Sequence, residues 1–203
     1  MIGSVASAPQ TDDMGLLEQA ISYALGSVQA ITPELLPRPT PCQGWDLRML
    51  LRHASESLAA LHEGIGAGYV RMDAADDSEL AADPARAFRD RAGRLVAAWT
   101  SPGRQHQVID IAGCPLAASV MTGAGALEIA VHGWDISQTC GPRQPIPHAL
   151  ATGLLQIAPL LVPGTGRPSL FAAPVIVAPT AGPSDRLAAF LGRTPGIGPE
   201  LTR

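Results

Sequence analysis

Residues 125–137, GALEIAVHGWDIS, carry three side chains able to move protons or hold a metal, Glu128, His132 and Asp135, among Leu, Ile, Val and Trp. At ~100° per helical position, with Glu128 as zero, His132 falls at roughly +40° and Asp135 at roughly −20°. Met121, Ala124 and Thr139 share that face, with Leu127 and Val131 on one edge and Ile129 and Ile136 on the other. A solvated helix face mixes Lys and Glu over a broad arc, whereas this is a polar stripe with apolar borders. The spacing therefore predicts charges that point inward, where an unpaired carboxylate is costly and something must neutralise it.

Glu and His one helical turn apart on an inward face can bind one metal ion together. Carboxylate oxygen and imidazole nitrogen both suit Zn²⁺, and a third protein ligand would leave a coordination position open. Five histidines are available: His53, His62, His106, His132 and His148. His53 and His62 both border the apolar stripe of one expected helix, and periodicity does not choose between them. The competing structural readings are a hydrogen-bonded core histidine at His53 and an ordinary helix-surface pair at Glu128 and His132. Asp135 suits a carboxylate that orients a ligating histidine through its other ring nitrogen, or a buried ion-pair partner. Trp45 and Trp134 read as core, Cys42 as small buried packing, and Gly133 as a site of close helix approach.

These residues need helices to hold them. Apolar residues recur at helical spacing over 12–31, from Leu17 to Ile31. A Pro-rich connection follows, then a helix over 46–64 with Asp46 as its cap. The acidic linker RMDAADDSELAAD leads to Pro84, which suits the first turn of a third helix over 84–99. RQHQVIDIAGCP allows an extended piece, and a fourth helix is expected over 116–139, stopped by CGP. HALATGLLQIAPLL fits a fifth helix, SLFAAPVIVAP a short strand and PSDRLAAFLGR a short capped helix. The expected fold is all-α: a four-helix bundle over 12–141, a disordered leader at 1–11 and a small C-terminal α/β appendage at 142–203.

Composition narrows the function classes. A chain of 203 residues can hold one real core, and its net charge of −4 without a basic cluster argues against a nucleic-acid partner. No apolar run reaches the ~20 residues that cross a bilayer. The opening MIGSVASAPQTDD lacks the features of a secretory signal. Cys42, Cys114 and Cys140 are odd in number without paired spacing, which fits a reduced, cytoplasmic protein. A small-molecule substrate and a monomer or homodimer are expected.

TPCQGWDLRMLLRHA resembles the opening motif of the mycothiol-dependent maleylpyruvate isomerase family, and EIAVHGWDIS resembles its second motif. DRLAAFLGRTP is similar to the tail of a subgroup of short actinobacterial metal-binding members. The wider resemblance is to DinB-like four-helix bundles, which hold a divalent metal by three side chains. Carried over, the resemblance implies His53, Glu128 and His132 as ligands, Zn²⁺ as the first choice of metal, with Ni²⁺ or another divalent ion as alternatives. It also implies mycothiol as a possible cofactor. The isomerases use a C-terminal arginine to hold the anionic thiol. Arg186 is its loose counterpart here, although it could instead pin the tail to Asp185 or to the bundle.

The resemblance thus implies a metal-dependent transferase or isomerase in which a low-molecular-weight thiol attacks a small electrophile. A metal with an open position lowers a thiol's pKa, and the thiolate is the reactive form. Two alternatives stay open: a thiol-independent hydrolase, lyase or cyclase, and a non-catalytic metal-binding protein.

Overall fold

The computed structural model describes residues 13–71, 82–99, 108–141, 143–162, 167 and 171–196. The expected leader, most of the acidic linker and His106 lie outside the described residues. The chain is mostly helical, with six α-helices and one small three-stranded sheet among the described residues.

Helix α1 spans Asp13–Val28 and ends three residues before the periodicity does. The chain leaves it through a turn in which the Ile31 N–H donates to the Val28 carbonyl at 3.2 Å, and Thr32, restricted by Pro33 after it, is extended at φ −117° and ψ 159°. Helix α2 spans Leu47–Ala67. Its N-terminus is capped by Asp46, whose side chain accepts from the Met49 N–H at 2.8 Å. Its C-terminus closes on Gly68, left-handed at φ 79°. Helix α3, Pro84–Trp99, starts on the proline as the sequence predicts.

The extended piece expected near residue 108 is the centre of a sheet. Strand β2 (Val108–Ile111) pairs antiparallel with β3 (Cys114–Ala117) and parallel with β1 (Tyr69–Val70). A two-residue turn joins β2 to β3, with Ala112 at φ 51° and Gly113 at φ 82°. Such left-handed pairs match the twist of a hairpin. Leu116 and Ala117, assigned to a helix from the sequence, belong to β3. Helix α4 therefore begins at Ala118 and runs to Cys140.

Helix α4 is buried around almost its whole circumference and is the centre of the molecule. It packs against α1 and α2, and α2 in turn packs against α3. Gly133 is where α1 comes closest: a Cβ there would stand 3.1 Å from the Ala24 Cα. Leu17, Leu47, Leu50, Leu51, Leu58 and Ile129 are fully buried between these helices. Each such side chain contributes roughly 1.5–3 kcal/mol relative to exposure. Trp134 belongs to this core, as its sequence context suggests.

Helix α5 (His148–Leu161) packs on α4 and α1, and α6 (Pro183–Phe190) packs on α5. Leu150, Leu154, Leu187 and Leu191 join the same continuous core. The expected strand at 169–179 is not formed over its described residues, 171–179. These run without a ladder partner, and Val175 donates to the Ala189 carbonyl at 2.8 Å instead. Pro174 and Pro179 have no N–H to offer a ladder. The described C-terminal segment is thus helical and irregular, and the α/β expectation for it is corrected.

Candidate metal centre

His53 comes from α2, and Glu128 and His132 come from α4. Their ligating atoms all lie within 4.8 Å of one another. Glu128 Oε1 stands 2.5 Å from His53 Nε2 and 3.1 Å from His132 Nε2. The two imidazoles meet edge to face, with centroids 5.1 Å apart and planes at 90°. The side chains are graded in exposure: His132 at 6%, Glu128 at 26% and His53 at 37%. His62, nine residues beyond His53 on α2, is turned by roughly 180° about the helix axis and stays out of the cluster. His148 opens α5 on the surface.

His132 is fixed from behind. Its Nδ1 donates to Asp135 Oδ2 at 3.0 Å, and Asp135 is fully buried. Asp135 also receives the Arg193 guanidinium, at 2.8 Å from Nη2 to Oδ2 and 3.3 Å from Nε to Oδ1. The counter-charge demanded by the inward carboxylate is therefore Arg193, a residue to which the sequence assigns no role. Arg186 is exposed on α6, and neither Asp185 nor a carboxylate of the other helices pairs with it among the described residues. The tail is pinned, but by Arg193. The signal available in the sequence was Gly192-Arg193 just past a short helix, where a glycine turn redirects the next side chain.

The loop before α2 supplies the flank. Thr40 ties it together, its N–H donating to the Trp45 carbonyl at 3.0 Å and its hydroxyl oxygen accepting from the Cys42 N–H at 3.2 Å. Gly44, at φ 82°, permits the tight return. This places the half-buried Trp45 ring 4.8 Å from the His53 ring, edge on, and 6.2 Å from His132, stacked. Trp45 is both a margin of the core and a wall of the cluster, a double role that its sequence context did not disclose.

Charge within the cluster is strongly coupled. Burial disfavours the Glu128 carboxylate, but the charges and hydrogen bonds of His132 and His53 outweigh it and hold the group well below the usual range. Burial also disfavours charged His132, yet Glu128 and Asp135 outweigh it and raise the imidazole to about 9. Asp135 is held low against its own burial by Arg193 and His132. Burial pushes the Cys42 thiol up despite nearby Arg193, which keeps it neutral and suits a packing role. Cys42, Cys114 and Cys140 are all free.

The donor set fits a divalent ion. Two imidazole nitrogens and one carboxylate oxygen converge within 4.8 Å of one another, and all three are ordinary donors to Zn²⁺. His132 has the outer carboxylate that ligating histidines ordinarily have. Among the described residues, no helix is long and apolar enough to cross a membrane.

Two uncharacterized proteins of Mycobacterium tuberculosis, from strains CDC 1551 and H37Rv, are each 29% identical to the chain over 184 residues. Each alignment spans 87% of this chain and 93% of the relative. No solved structure matches the chain significantly. A family model described as the mycothiol maleylpyruvate isomerase N-terminal domain matches residues 17–137, and so includes both helices that carry the cluster. That family is metal-binding and implies the DinB-like superfamily. The chain belongs to the mycothiol maleylpyruvate isomerase N-terminal domain family.

Proposed function

We propose that the chain is a divalent-metal-dependent transferase or isomerase that uses a low-molecular-weight thiol, mycothiol first, on a small electrophilic substrate in the cytoplasm. In this reading α1–α4 are a DinB-like four-helix bundle within residues 12–141, and 142–203 is an appendage docked on it. The observation that carries the reading is the convergence of His53, Glu128 and His132 from two helices, with His53 and Glu128 still partly open to solvent.

These three side chains would hold the ion, with Zn²⁺ the first choice for an N₂O donor set. A divalent ion bound there supplies Lewis acidity, which lowers the pKa of a thiol and makes the reactive thiolate available at neutral pH. The chain's own groups do the rest. Asp135 holds the His132 Nδ1 hydrogen, so that Nε2 faces the cluster. Trp45 closes one side with an apolar wall and confines approach to the margin where His53 and Glu128 are exposed. Arg186, an exposed cation on α6, is the group offered to the thiol's carboxylate.

Calorimetric titration of metal-loaded protein with mycothiol and with its desulfurised analogue tests the reading. Binding of mycothiol alone, abolished by chelation, supports it. Equal binding of both, or of neither, removes the thiol from the function.

A further inference from the structure

Arg193 reaches Asp135 because of how α6 ends. The Gly192 N–H donates to the Ala189 carbonyl at 3.0 Å and the Arg193 N–H to the Ala188 carbonyl at 2.9 Å, a paired closure that reverses the chain. Gly192 is left-handed at φ 82°, and a Cβ there would stand 2.8 Å from the Ala172 carbonyl oxygen. Only glycine lets residues 171–175 lie against this turn while Arg193 is aimed back at α4. Arg193 also donates from Nη1 to the Leu191 carbonyl at 3.0 Å, so the guanidinium is braced by its own turn. Ser184 adds a second tie at the other end of α6, its hydroxyl accepting from the buried Ile146 N–H at 2.9 Å.

The two contacts of Arg193 occupy both oxygens of Asp135, and a guanidinium fork sets the plane of the carboxylate it grips. With that plane set, Oδ2 faces His132 Nδ1, and Nε2 of the same ring faces Glu128 and His53. Five groups from three parts of the chain, Arg193, Asp135, His132, Glu128 and His53, thus form one unbroken line from the C-terminal turn to the candidate ligands. We infer that Arg193 is a positioning residue for the metal centre, so that docking of the C-terminal turn on α4 and binding of the ion at His53, Glu128 and His132 strengthen each other. The inference rests on the metal reading above. Reciprocity is obligatory: whatever factor the docked turn adds to metal affinity, the metal adds to docking.

Zn²⁺ affinity and amide hydrogen exchange on the full chain test this. Arg193→Gln should weaken Zn²⁺ binding by up to roughly 10–100-fold, the usual cost when the outer partner of a ligating histidine, here Asp135, no longer holds it in place. Arg193→Lys, which keeps the charge but loses the fork, should recover part of that loss. In the unaltered protein, Zn²⁺ should slow exchange at the amides of residues 191–193 by a similar factor. A merely structural arginine would leave both the exchange response and the partial rescue absent. The exchange measurement decides even where the Arg193→Gln chain does not fold. Zn²⁺ binding that leaves those amides unmoved overturns the coupling alone, as does an Arg193→Gln chain with unaltered affinity. An unaltered protein that takes up no Zn²⁺ overturns the metal reading, and the coupling with it.

Discussion

His132 and Asp135, three residues apart on α4, are joined by a hydrogen bond of 3.0 Å in which the imidazole Nδ1 must be the donor. An ionised carboxylate has no proton to give. Nδ1 thus keeps its hydrogen whether the ring is neutral or charged, and the ring's second nitrogen lies 3.1 Å from Glu128 Oε1. With the imidazole raised to about 9, that nitrogen carries a proton at neutral pH in the metal-free protein. The proton stands where the ion would bind.

Metal uptake at neutral pH should therefore release a proton from His132. Its apparent affinity for Zn²⁺ should rise about tenfold per pH unit, flattening as the pH approaches the folded value of about 9. Calorimetry in buffers of different ionisation enthalpy counts the released proton directly. A pH-independent affinity between 6 and 8, on the order of the neutral range where imidazoles titrate, would contradict this proton competition.

The same shift bears on stability without metal. Because the folded value for His132 lies above the ordinary imidazole value of 6.5, its contribution is full below 6.5 and is lost as pH rises through about 9. Glu128 and Asp135 are shifted down, so their contributions are present above their unfolded values and are lost in acid. Thermal melts of chelated protein should show a decline on the alkaline side that Zn²⁺ removes. Helical circular dichroism should survive chelation, since a core of this size holds without an ion.

Replacing any one of His53, Glu128 or His132 by Ala should reduce metal affinity by more than the roughly 10–100-fold that loss of an outer partner costs. His62→Ala and His148→Ala should leave it unchanged. Elemental analysis of dialysed protein separates the two groups. Full occupancy in Glu128→Ala would dissolve the pairing of Glu128 with His132.

Gly133→Ala should destabilise the fold by about 1 kcal/mol. The added methyl meets the Ala24 Cα at 3.1 Å, a backbone atom that cannot swing aside. Overpacking of this kind costs roughly 1–3 kcal/mol, and the better helix propensity of Ala returns about 1 kcal/mol. Denaturant unfolding of the two chains measures the difference.

Local signals in the sequence were enough for the helices. The period of the apolar residues, the Asp46 cap and the proline at position 84 each act within a few residues, so they could be read before any packing was known. The spacing of Glu128 and His132 likewise placed both on one face of α4, because one helical turn brings such a pair together. Where an element depended on a distant partner, the sequence fell short. The pairing of Tyr69 with Asp110 joins residues 41 positions apart, and Leu116 reads as helix until β2 lies beside it. The apolar run at 171–179 looks like a strand, but a strand needs a ladder partner, and among the described residues this run pairs with none.

The candidate site divides in the same way. Residues could nominate His53 or His62 from α2; the packing of α2 on α4 brought only His53 to Glu128. The need for a counter-charge at Asp135 was legible from burial alone. That the charge is Arg193 rather than Arg186 was decided by the Gly192 turn, which sends one arginine inward and leaves the other on the outer face of α6. Helical periodicity reports which face a residue occupies. It carries no information on which remote segment will meet that face, because that choice is made by packing across the whole chain.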